Sequence, residues 1–359
     1  MNVLTKFDVR QTNIAKGLAV LMLLWHHLFF NNPNSYDNYV SLYKISGVVP
    51  LEAYFSAFCK LCVAIFVFLS GYGLYFSYEK NKNIKYSSAK FIATRMIKLL
   101  SEYWFIFIIF VPLGFAFGRN PIDIYEGNVG YFFADIFGLS DILFGSKKFT
   151  MNATWWFMSL IIILYIIYPV VYKLIDKICI LPIVIAFGIT FINWQYDRIS
   201  FSAYFLPFVL GSFFAKYKLF DKLCAKLNKI NFVIILCVSI LFIGLAFVIR
   251  QKLLFNVFKF DGVFCIPIIL FSYLVISKIK VIDKIFEQLG KYSGSIFMFH
   301  TFIFSYYFRN FIYSFKYSIL IFLVLTIICY LIALVLEKIK KYIKYDKLFN
   351  LAVKKCMKQ

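Results

Sequence analysis

The chain has 359 residues, of which 62% are hydrophobic and only 16% are charged. Its apolar residues come in runs of about 17 to 25 separated by short polar segments, which excludes a soluble globular protein and indicates a polytopic membrane protein. The formal charge of +22 is typical of basic loops on the cytoplasmic face of a membrane, so we expect no nucleic-acid partner.

Ten apolar runs along the chain have about the length that a membrane-spanning helix needs. In chain order they cover about residues 14–30, 57–78, 99–118, 153–175, 178–193, 199–217, 230–250, 260–277, 294–315 and 318–337. If the N-terminus is placed inside the cell, most Lys and Arg residues fall on cytoplasmic loops. We therefore predict an all-α transmembrane bundle of about ten spans, with both termini cytoplasmic, in the cytoplasmic membrane.

We predict a single membrane domain, residues 1–340, followed by a basic cytoplasmic tail, residues 341–359, with no appended soluble domain. The longest segment between spans, about residues 119–152, contains GYFFADIFGLSDILFG. Its apolar residues, with isolated Asp135 and Asp141, predict a short interfacial helix that caps a site from outside. Cys59 and Cys62 form an isolated CxxC in an apolar run, and the cysteines show no ligand pattern, so we predict no metal site.

Two adjacent histidines, His26 and His27, lie within the first span. Ionisable side chains are costly in the hydrocarbon layer and commonly mark transport, proton movement or catalysis. His27 lies about 16 Å along the helix from Lys16, and His26 points about 100° away from it, so the two histidines face different neighbours. The only other histidine, His300, lies in the ninth span. Each histidine is either a hydrogen-bonding contact between helices or a neutral imidazole that acts as a general base.

Six segments, in order, carry a resemblance to a known family. They are Lys16-Gly17 with His27 eleven positions after the lysine, FVFLSGYGL from residue 66, the basic segment with Arg95 and Lys98, WWFMSLIIILYIIYP from residue 155, YFLPFVLGSFFAKY from residue 204, and LGKYSGSIFMFH from residue 289. On this topology they resemble the integral-membrane acyltransferase-3 family, which O-acylates bacterial cell-surface and exported carbohydrates. The resemblance covers essentially the whole chain.

The chain departs from the family pattern at three positions. Lys16 and Lys98 stand where many members have Arg, and a lysine lacks the bidentate fork that suits phosphate. Asn13 stands where many members carry an acidic residue. If that carboxylate positions the basic side chain, we expect the amide to do so less strongly.

The resemblance implies transfer of an acyl group, usually acetyl, from cytoplasmic acyl-CoA to a carbohydrate hydroxyl on the outer side. Acyl-CoA, most often acetyl-CoA, is then a substrate, and we expect no bound cofactor. The expected partners are the lipid bilayer, acyl-CoA and a carbohydrate acceptor. The acyl group passes either straight to the carbohydrate or through a separate extracytoplasmic transfer protein.

The same resemblance suggests roles for individual residues. We predict that His27 is the catalytic base, and that His26 and His300 are second catalytic residues or structural ones. The candidate ligands of the acyl-CoA phosphates are Lys16, Arg95 and Lys98, and the candidate wall of the acceptor pocket is formed by Trp156 and Tyr165. The alternative interpretation is that the basic residues only set topology and that the aromatic residues form an interfacial belt.

A carrier or flippase for a lipid-linked sugar is the alternative function, with the intramembrane histidines as proton sites. The missing internal repeat and the near absence of Asp and Glu in the span centres argue against it. Glu102, one turn inside the third span, is the nearest exception. A glycan polymerase or ligase is a third possibility, for which we would expect a larger outer domain with clustered arginines.

Overall fold

Helices form most of the part of the chain that the structure describes. The computed structural model describes residues 6–30, 39–45, 49–81, 88–145, 149–192, 200–227, 229–252 and 257–358. The α-helices are α1 (Val9–Phe29), α2 (Leu51–Cys59), α3 (Leu61–Asn81), α4 (Ser88–Leu113), α5 (Pro121–Ile124), α6 (Val129–Ile136), α7 (Ser140–Phe144), α8 (Trp156–Ile178), α9 (Leu181–Ile189), α10 (Phe201–Tyr217), α11 (Leu219–Leu227), α12 (Phe232–Lys252), α13 (Asp261–Leu274), α14 (Ile282–Lys291), α15 (Ser293–Thr301), α16 (Arg309–Tyr313), α17 (Ser318–Tyr342) and α18 (Tyr345–Lys358).

Short irregular elements connect some of these helices. They include the 3-10 turns Ala153–Trp155, Val257–Phe260 and Ile276–Lys278 and the π-helical segment Phe302–Tyr307. Strands β1 (Lys44–Ile45) and β2 (Val49–Pro50) pair antiparallel, with Lys44 opposite Pro50.

Within the described ranges, six helical stretches are long and apolar enough to cross a membrane. They are Leu51–Lys80, Ser88–Leu113, Ala153–Ile178, Phe232–Lys252, Asp261–Lys278 and Ser318–Tyr342. These correspond to the second, third, fourth, seventh, eighth and tenth predicted spans, and the prediction of a helical membrane bundle is confirmed. The count of ten spans and the cytoplasmic position of both termini stay predictions.

The other four predicted spans differ from the six in identifiable ways. Helix α1 has 21 residues, but Asn13, Lys16 and the histidine pair lower its mean hydropathy. The fifth span contains α9, which has nine residues, and its last predicted residue lies outside the described ranges. The sixth contains α10, which has 17 residues, and its first predicted residue lies outside the described ranges. The ninth is divided into α15, the π-helical segment and α16.

The core of the bundle lies between α1, α3, α10, α13, α14 and α15, which pack on one another. Helices α12 and α17 lie at the periphery, where only 11% and 28% of the most apolar stretch of each is buried. Because their exposed surfaces are apolar, these two helices suit contact with lipid. Most of the predicted C-terminal tail, residues 341–359, lies in α18, although its first two residues belong to α17 and its last lies outside the described ranges. Helix α18 packs on α4, and the Tyr345 hydroxyl donates to the Ser101 carbonyl at 2.9 Å.

Helices α1 and α14 cross in backbone contact. A Cβ atom added at Gly17 would lie 2.0 Å from the Phe286 carbonyl oxygen, and one added at Gly290 would lie 1.7 Å from the Asn13 carbonyl oxygen. Both distances are far below van der Waals contact, so only glycine fits at either position without separating the helices. The crossing is tied further by Arg10 at the start of α1, which forms ion pairs with Asp283 and Glu287 of α14.

A second glycine crossing joins α3 and α10. A Cβ atom at Gly71 would lie 2.1 Å from the Phe208 carbonyl oxygen, and one at Gly211 would lie 1.9 Å from the Phe68 carbonyl oxygen. All four crossing glycines lie in the segments that carry the family resemblance. Those glycines therefore have a direct structural explanation, which is close helix packing.

Candidate active site

His27 and His300 meet inside the bundle, although 273 residues separate them in the chain. Their ring centroids are 5.0 Å apart. His27 lies in the last turn of α1, whose start is fixed by the Asp8 side chain accepting the backbone N–H groups of Arg10 and Gln11. His27 is partly exposed, whereas His300 is fully buried. Of the two imidazoles, His27 is therefore the more accessible.

His26 is held by α2. Its Nδ1 atom lies 2.8 Å from the Ser56 carbonyl oxygen, and the Ser56 hydroxyl donates to the His26 carbonyl oxygen at 3.1 Å. Because a carbonyl only accepts, His26 donates through Nδ1–H. This reciprocal pair of hydrogen bonds joins α1 to α2, and of the two roles predicted for His26 it favours the structural one.

His300 has a defined tautomer. Its Nδ1 atom lies 3.0 Å from the Ile296 carbonyl oxygen and 2.9 Å from the Phe297 carbonyl oxygen, so Nδ1 carries the proton. In the neutral ring the lone pair is then on Nε2, which lies 3.4 Å from the Thr301 hydroxyl oxygen. His300 therefore presents one acceptor nitrogen, on a ring whose centroid lies 5.0 Å from that of His27.

Polar residues that the sequence did not single out surround His300. The Thr301 hydroxyl lies 3.4 Å from the Thr154 hydroxyl, which donates to Asn152 Oδ1 at 2.8 Å. Asn152 is fully buried, and its Nδ2 donates to the Met298 carbonyl oxygen at 3.0 Å. Asn152 does precede the 3-10 turn and α8, where an Asn is a helix-start signal, but that signal does not reveal its contact with α15.

The segment predicted to lie outside, about residues 119–152 and called the outer segment here, was expected to form one interfacial helix. Its described residues, 119–145 and 149–152, form three short helices, α5 to α7, around Asp135. This carboxylate is buried and accepts the hydroxyls of Tyr125, Thr150 and Ser140 at 2.8, 2.7 and 3.3 Å, and the Met151 N–H at 2.9 Å. Because four groups of this segment donate to one buried carboxylate, Asp135 holds the segment together through its hydrogen bonds.

The same outer segment is anchored to the bundle on two sides. The Tyr103 hydroxyl of α4 donates to the Asp135 carbonyl oxygen at 2.6 Å. The Arg119 guanidinium donates to the carbonyl oxygens of Met151 and Thr150 and lies 3.8 Å from the ring centroid of Tyr306 in the π-helical segment. The segment thus connects through residues 150–152 to the helix that carries His300.

Burial raises the pKa of Asp135 from 3.8 to about 6, because desolvation outweighs the four hydrogen bonds. The folded protein therefore retains this proton up to a pH that is about two units higher than in the unfolded chain. Between about pH 4 and 6 the folded state binds more protons, so the free energy of unfolding falls as the pH rises, by on the order of 3 kcal/mol for this group.

We accordingly expect the melting temperature of the protein in detergent to fall between pH 4 and pH 6 through this group. An Asp135→Asn variant should lose that part of the pH dependence, while Asp123→Asn, which changes an exposed carboxylate on α5, should keep it. Thermal unfolding of the three proteins across this range measures the effect. If the melting temperature of Asp135→Asn fell between pH 4 and pH 6 as steeply as that of the wild type, Asp135 would not be the group responsible.

Lys16 lines a cavity of about 530 Å³ at the opposite end of α1 from His27. The cavity lies between the start of α1, α3 and the α10–α11 connection, and Lys6 and Lys218 also line it. Its two carboxylates have partners, since Asp8 accepts backbone N–H groups of α1 and Asp221 accepts the Phe7 N–H at 2.7 Å. The cavity has the size of a small-molecule site and an excess of positive charge.

The spacing of Lys16 and His27 places both on one face of α1. Eleven residues turn the helix about 20° beyond three full turns and advance it about 16 Å. The lysine is therefore at the cavity end and the histidine at the other end of the same face. Between them Ala19, Val20 and Leu23 are fully buried, so packed side chains fill this route.

The structure does not place the other two basic candidates with Lys16. Arg95 and Lys98 lie on α4 and are not part of the cavity lining. The Arg95 guanidinium lies 5.5 Å from the Phe91 ring centroid, and Lys98 is exposed. Their role in acyl-CoA binding stays a prediction.

Trp156 and Tyr165 do not form one wall. Nine residues on α8 separate them by about 14 Å and about half a turn, which points them to opposite sides of the helix. Trp156 stacks on Tyr204 of α10 with ring centroids 5.8 Å apart, whereas the Tyr165 hydroxyl lies near Ser70 of α3. The preceding tryptophan, Trp155, lies closer to the histidine site, because its Nε1 donates to the Met298 carbonyl oxygen at 2.9 Å.

A family model described as an acyltransferase domain, that of acyltransferase-3, matches residues 10–338. The matched region includes His26, His27, His300, Lys16 and every other predicted site residue, whereas four residues that line the Lys16 cavity, Lys6, Phe7, Asp8 and Val9, precede it. No curated protein and no solved structure matches the chain.

Proposed function

Because this chain belongs to the acyltransferase-3 family, we propose that it moves an acetyl group from cytoplasmic acetyl-CoA to a hydroxyl of a cell-surface or exported carbohydrate. The protein is a multi-pass membrane acyltransferase. The donor, the acceptor, the O-acetyl product and the location in the cytoplasmic membrane are the proposed parts. The observation that carries the proposal is the contact between His27, which is partly exposed, and the buried His300.

In the proposed reaction His27 acts as the general base. As the acceptor oxygen attacks the thioester carbonyl, His27 takes the hydroxyl proton, the new C–O bond forms and the C–S bond breaks. The proton then passes to the departing CoA sulfur, so the charges balance. A general base of this kind contributes roughly 10²- to 10⁴-fold to the rate. His300, whose ring lies beside that of His27, supports the His27 ring as it becomes charged.

The Lys16 cavity is our proposed site for the phosphates of the donor. Its positive charge suits phosphate, and the common face of α1 leads from it toward His27. Because buried side chains fill that route, we expect donor binding to displace the packing around Ala19 and Leu23, so that the pantetheine arm lies along α1.

The experiment that tests the function compares the surface polysaccharide of cells with the intact gene and of cells with a deletion. Proton NMR before and after mild alkali measures O-acetyl content. Loss of alkali-labile acetyl signals in the deletion supports the proposal. Unchanged acetylation, together with accumulation of a lipid-linked sugar, would instead support a carrier or flippase. Loss of acetylation on deletion of a separate, extracytoplasmic protein, with this gene intact, would indicate a relay.

We expect Lys16→Gln to raise the KM for acetyl-CoA about tenfold or more, because a hydrogen bond to a charged group is worth about 1.5–3 kcal/mol. The kcat should change little, since Lys16 is remote from the proposed chemistry. Lys222→Gln, which changes an exposed lysine of α11 outside the cavity lining, is the matched control. Equal KM values for the two variants would contradict the phosphate assignment.

A further inference from the structure

The helix that carries His300 changes its hydrogen-bonding pattern directly after that residue. In a regular α-helix the Phe302 N–H would donate to the Met298 carbonyl, four residues earlier. It donates instead to the carbonyls of Phe299 and His300, and a π-helical segment follows. Such π-helical turns are rare and frequently lie at functional sites. The Met298 carbonyl, half a helical turn before His300, has thereby lost its α-helical partner.

Two side chains from outside this helix donate to the Met298 carbonyl. Asn152 Nδ2 lies 3.0 Å from the oxygen and Trp155 Nε1 lies 2.9 Å from it. Asn152 is completely buried and Trp155 is 2% exposed. Because a carbonyl oxygen has two lone pairs, the two donors together can saturate it. We call these two side chains the carbonyl clamp.

The clamp is itself held in place on both sides. Asn152 Oδ1 accepts the N–H and the hydroxyl of Thr154, at 3.0 and 2.8 Å. The indole of Trp155 packs edge-on against Tyr103, with ring centroids 4.9 Å apart, and against Phe302, with centroids 5.6 Å apart. The clamp therefore contacts the chain both before and after His300. It hydrogen-bonds to the Met298 carbonyl before His300, and its Trp155 ring packs on Phe302 after it.

We propose that Asn152 and Trp155 are positioning residues that hold His300 beside His27 during acyl transfer. This inference rests on the proposed role of the two histidines. Without the clamp, the Phe302 N–H can return to the Met298 carbonyl, which rebuilds a regular α-helical turn and rotates the backbone at His300. The imidazole then leaves its place beside His27, while the Lys16 cavity at the other end of α1 is unaffected.

The test uses Trp155→Phe, which removes the indole N–H and keeps an aromatic ring. The matched control is Trp104→Phe, because the Trp104 indole also donates to a backbone carbonyl, that of Ile136 at 2.7 Å, but in the outer segment. Asn152→Ser is a second variant. A serine still caps the following turn but is too short to donate to Met298. The purified proteins are assayed with acetyl-CoA and with unacetylated polysaccharide from a deletion strain, and rates are divided by the folded fraction.

We expect Trp155→Phe and Asn152→Ser to lower kcat by about 10- to 100-fold, the cost of a small misplacement of a reacting group, with the KM for acetyl-CoA within about twofold of wild type. Trp104→Phe should leave both constants near wild type at a similar loss of melting temperature. If Trp155→Phe and Asn152→Ser had the same kcat as Trp104→Phe, the positioning role of Asn152 and Trp155 would be refuted.

His27→Ala and His300→Ala, measured in the same assay, distinguish a failure of the positioning role from a failure of the proposed chemistry at the histidines. If both histidine variants are inactive while the clamp variants are normal, the positioning role alone is wrong. If His27→Ala retains full activity, the proposed chemistry at His27 is wrong whatever the clamp variants do.

Discussion

Replacing His27 with alanine is expected to reduce acyl transfer by roughly 10²- to 10⁴-fold, the contribution of a general base. The imidazole is partly exposed at the end of α1 and lies against His300, so its loss removes the proton acceptor and creates space without breaking a helix crossing. The protein should therefore insert and accumulate normally. O-acetyl content of the surface polysaccharide at equal membrane levels measures the result in cells, and CoA release measures it with purified protein.

His26→Ala is the control for this experiment. It removes the neighbouring histidine, whose hydrogen bond joins α1 to α2 and which does not serve as the proposed base. It deletes the hydrogen bond to the Ser56 carbonyl, which should lower the yield of folded protein while the rate per folded molecule stays near wild type. Full activity in His27→Ala, or an equal loss of specific activity in the two variants, would refute the assignment of His27 as the base.

The second large effect is expected at the crossing of α1 and α14. Gly290→Ala should abolish accumulation of folded protein, because its Cβ would lie 1.7 Å from the Asn13 carbonyl oxygen. Ordinary overpacking costs about 1–3 kcal/mol, since side chains can move aside. Here the obstacle is backbone, and relief requires the two helices to separate along a contact that Gly17 also forms.

Gly294→Ala is the matched substitution, four residues later and in the next helix. Nothing lies within 4 Å of a Cβ at that position, so alanine should be neutral or slightly stabilising there. Size-exclusion profiles of the solubilised proteins, compared at equal expression, measure the difference. A monodisperse, fully expressed Gly290→Ala protein would show that the crossing tolerates a side chain.

The crossing also bears on activity. Helix α14 ends at Lys291 and α15 begins at Ser293, so a shift of α14 against α1 moves the helix that carries His300. Any Gly17 or Gly290 variant that does fold should therefore transfer the acyl group more slowly, since small misplacements of reacting groups are costly.

The class of the fold was predictable because apolar runs of spanning length follow directly from the thickness of the bilayer. The same criterion is weakest where the chain is functional. Polar residues that α1 needs for its site lower its hydropathy, and the π-helical segment after His300 divides the ninth predicted span. Composition cannot distinguish these features from the end of a membrane segment.

The site was predictable only in part. His27 and His300 were recognised as costly residues in apolar runs, but their contact depends on how α1 and α15 pack. Asn152 and Asp135 were missed as site residues because an isolated Asn or Asp has no distinctive sequence pattern, and their contacts are with distant backbone and hydroxyl groups. Helical geometry alone would have separated Trp156 from Tyr165, which lie about half a turn apart.

The chain contains three histidines, and each has a different environment. His26 donates from Nδ1 to the neighbouring helix α2, His300 donates from Nδ1 to its own helix, and His27 is partly exposed. Selective ¹⁵N labelling of histidine would therefore give a spectrum of only three imidazoles, simple enough to resolve in a detergent micelle. The protonation state of the proposed base could then be followed directly, signal by signal, as donor and acceptor are added.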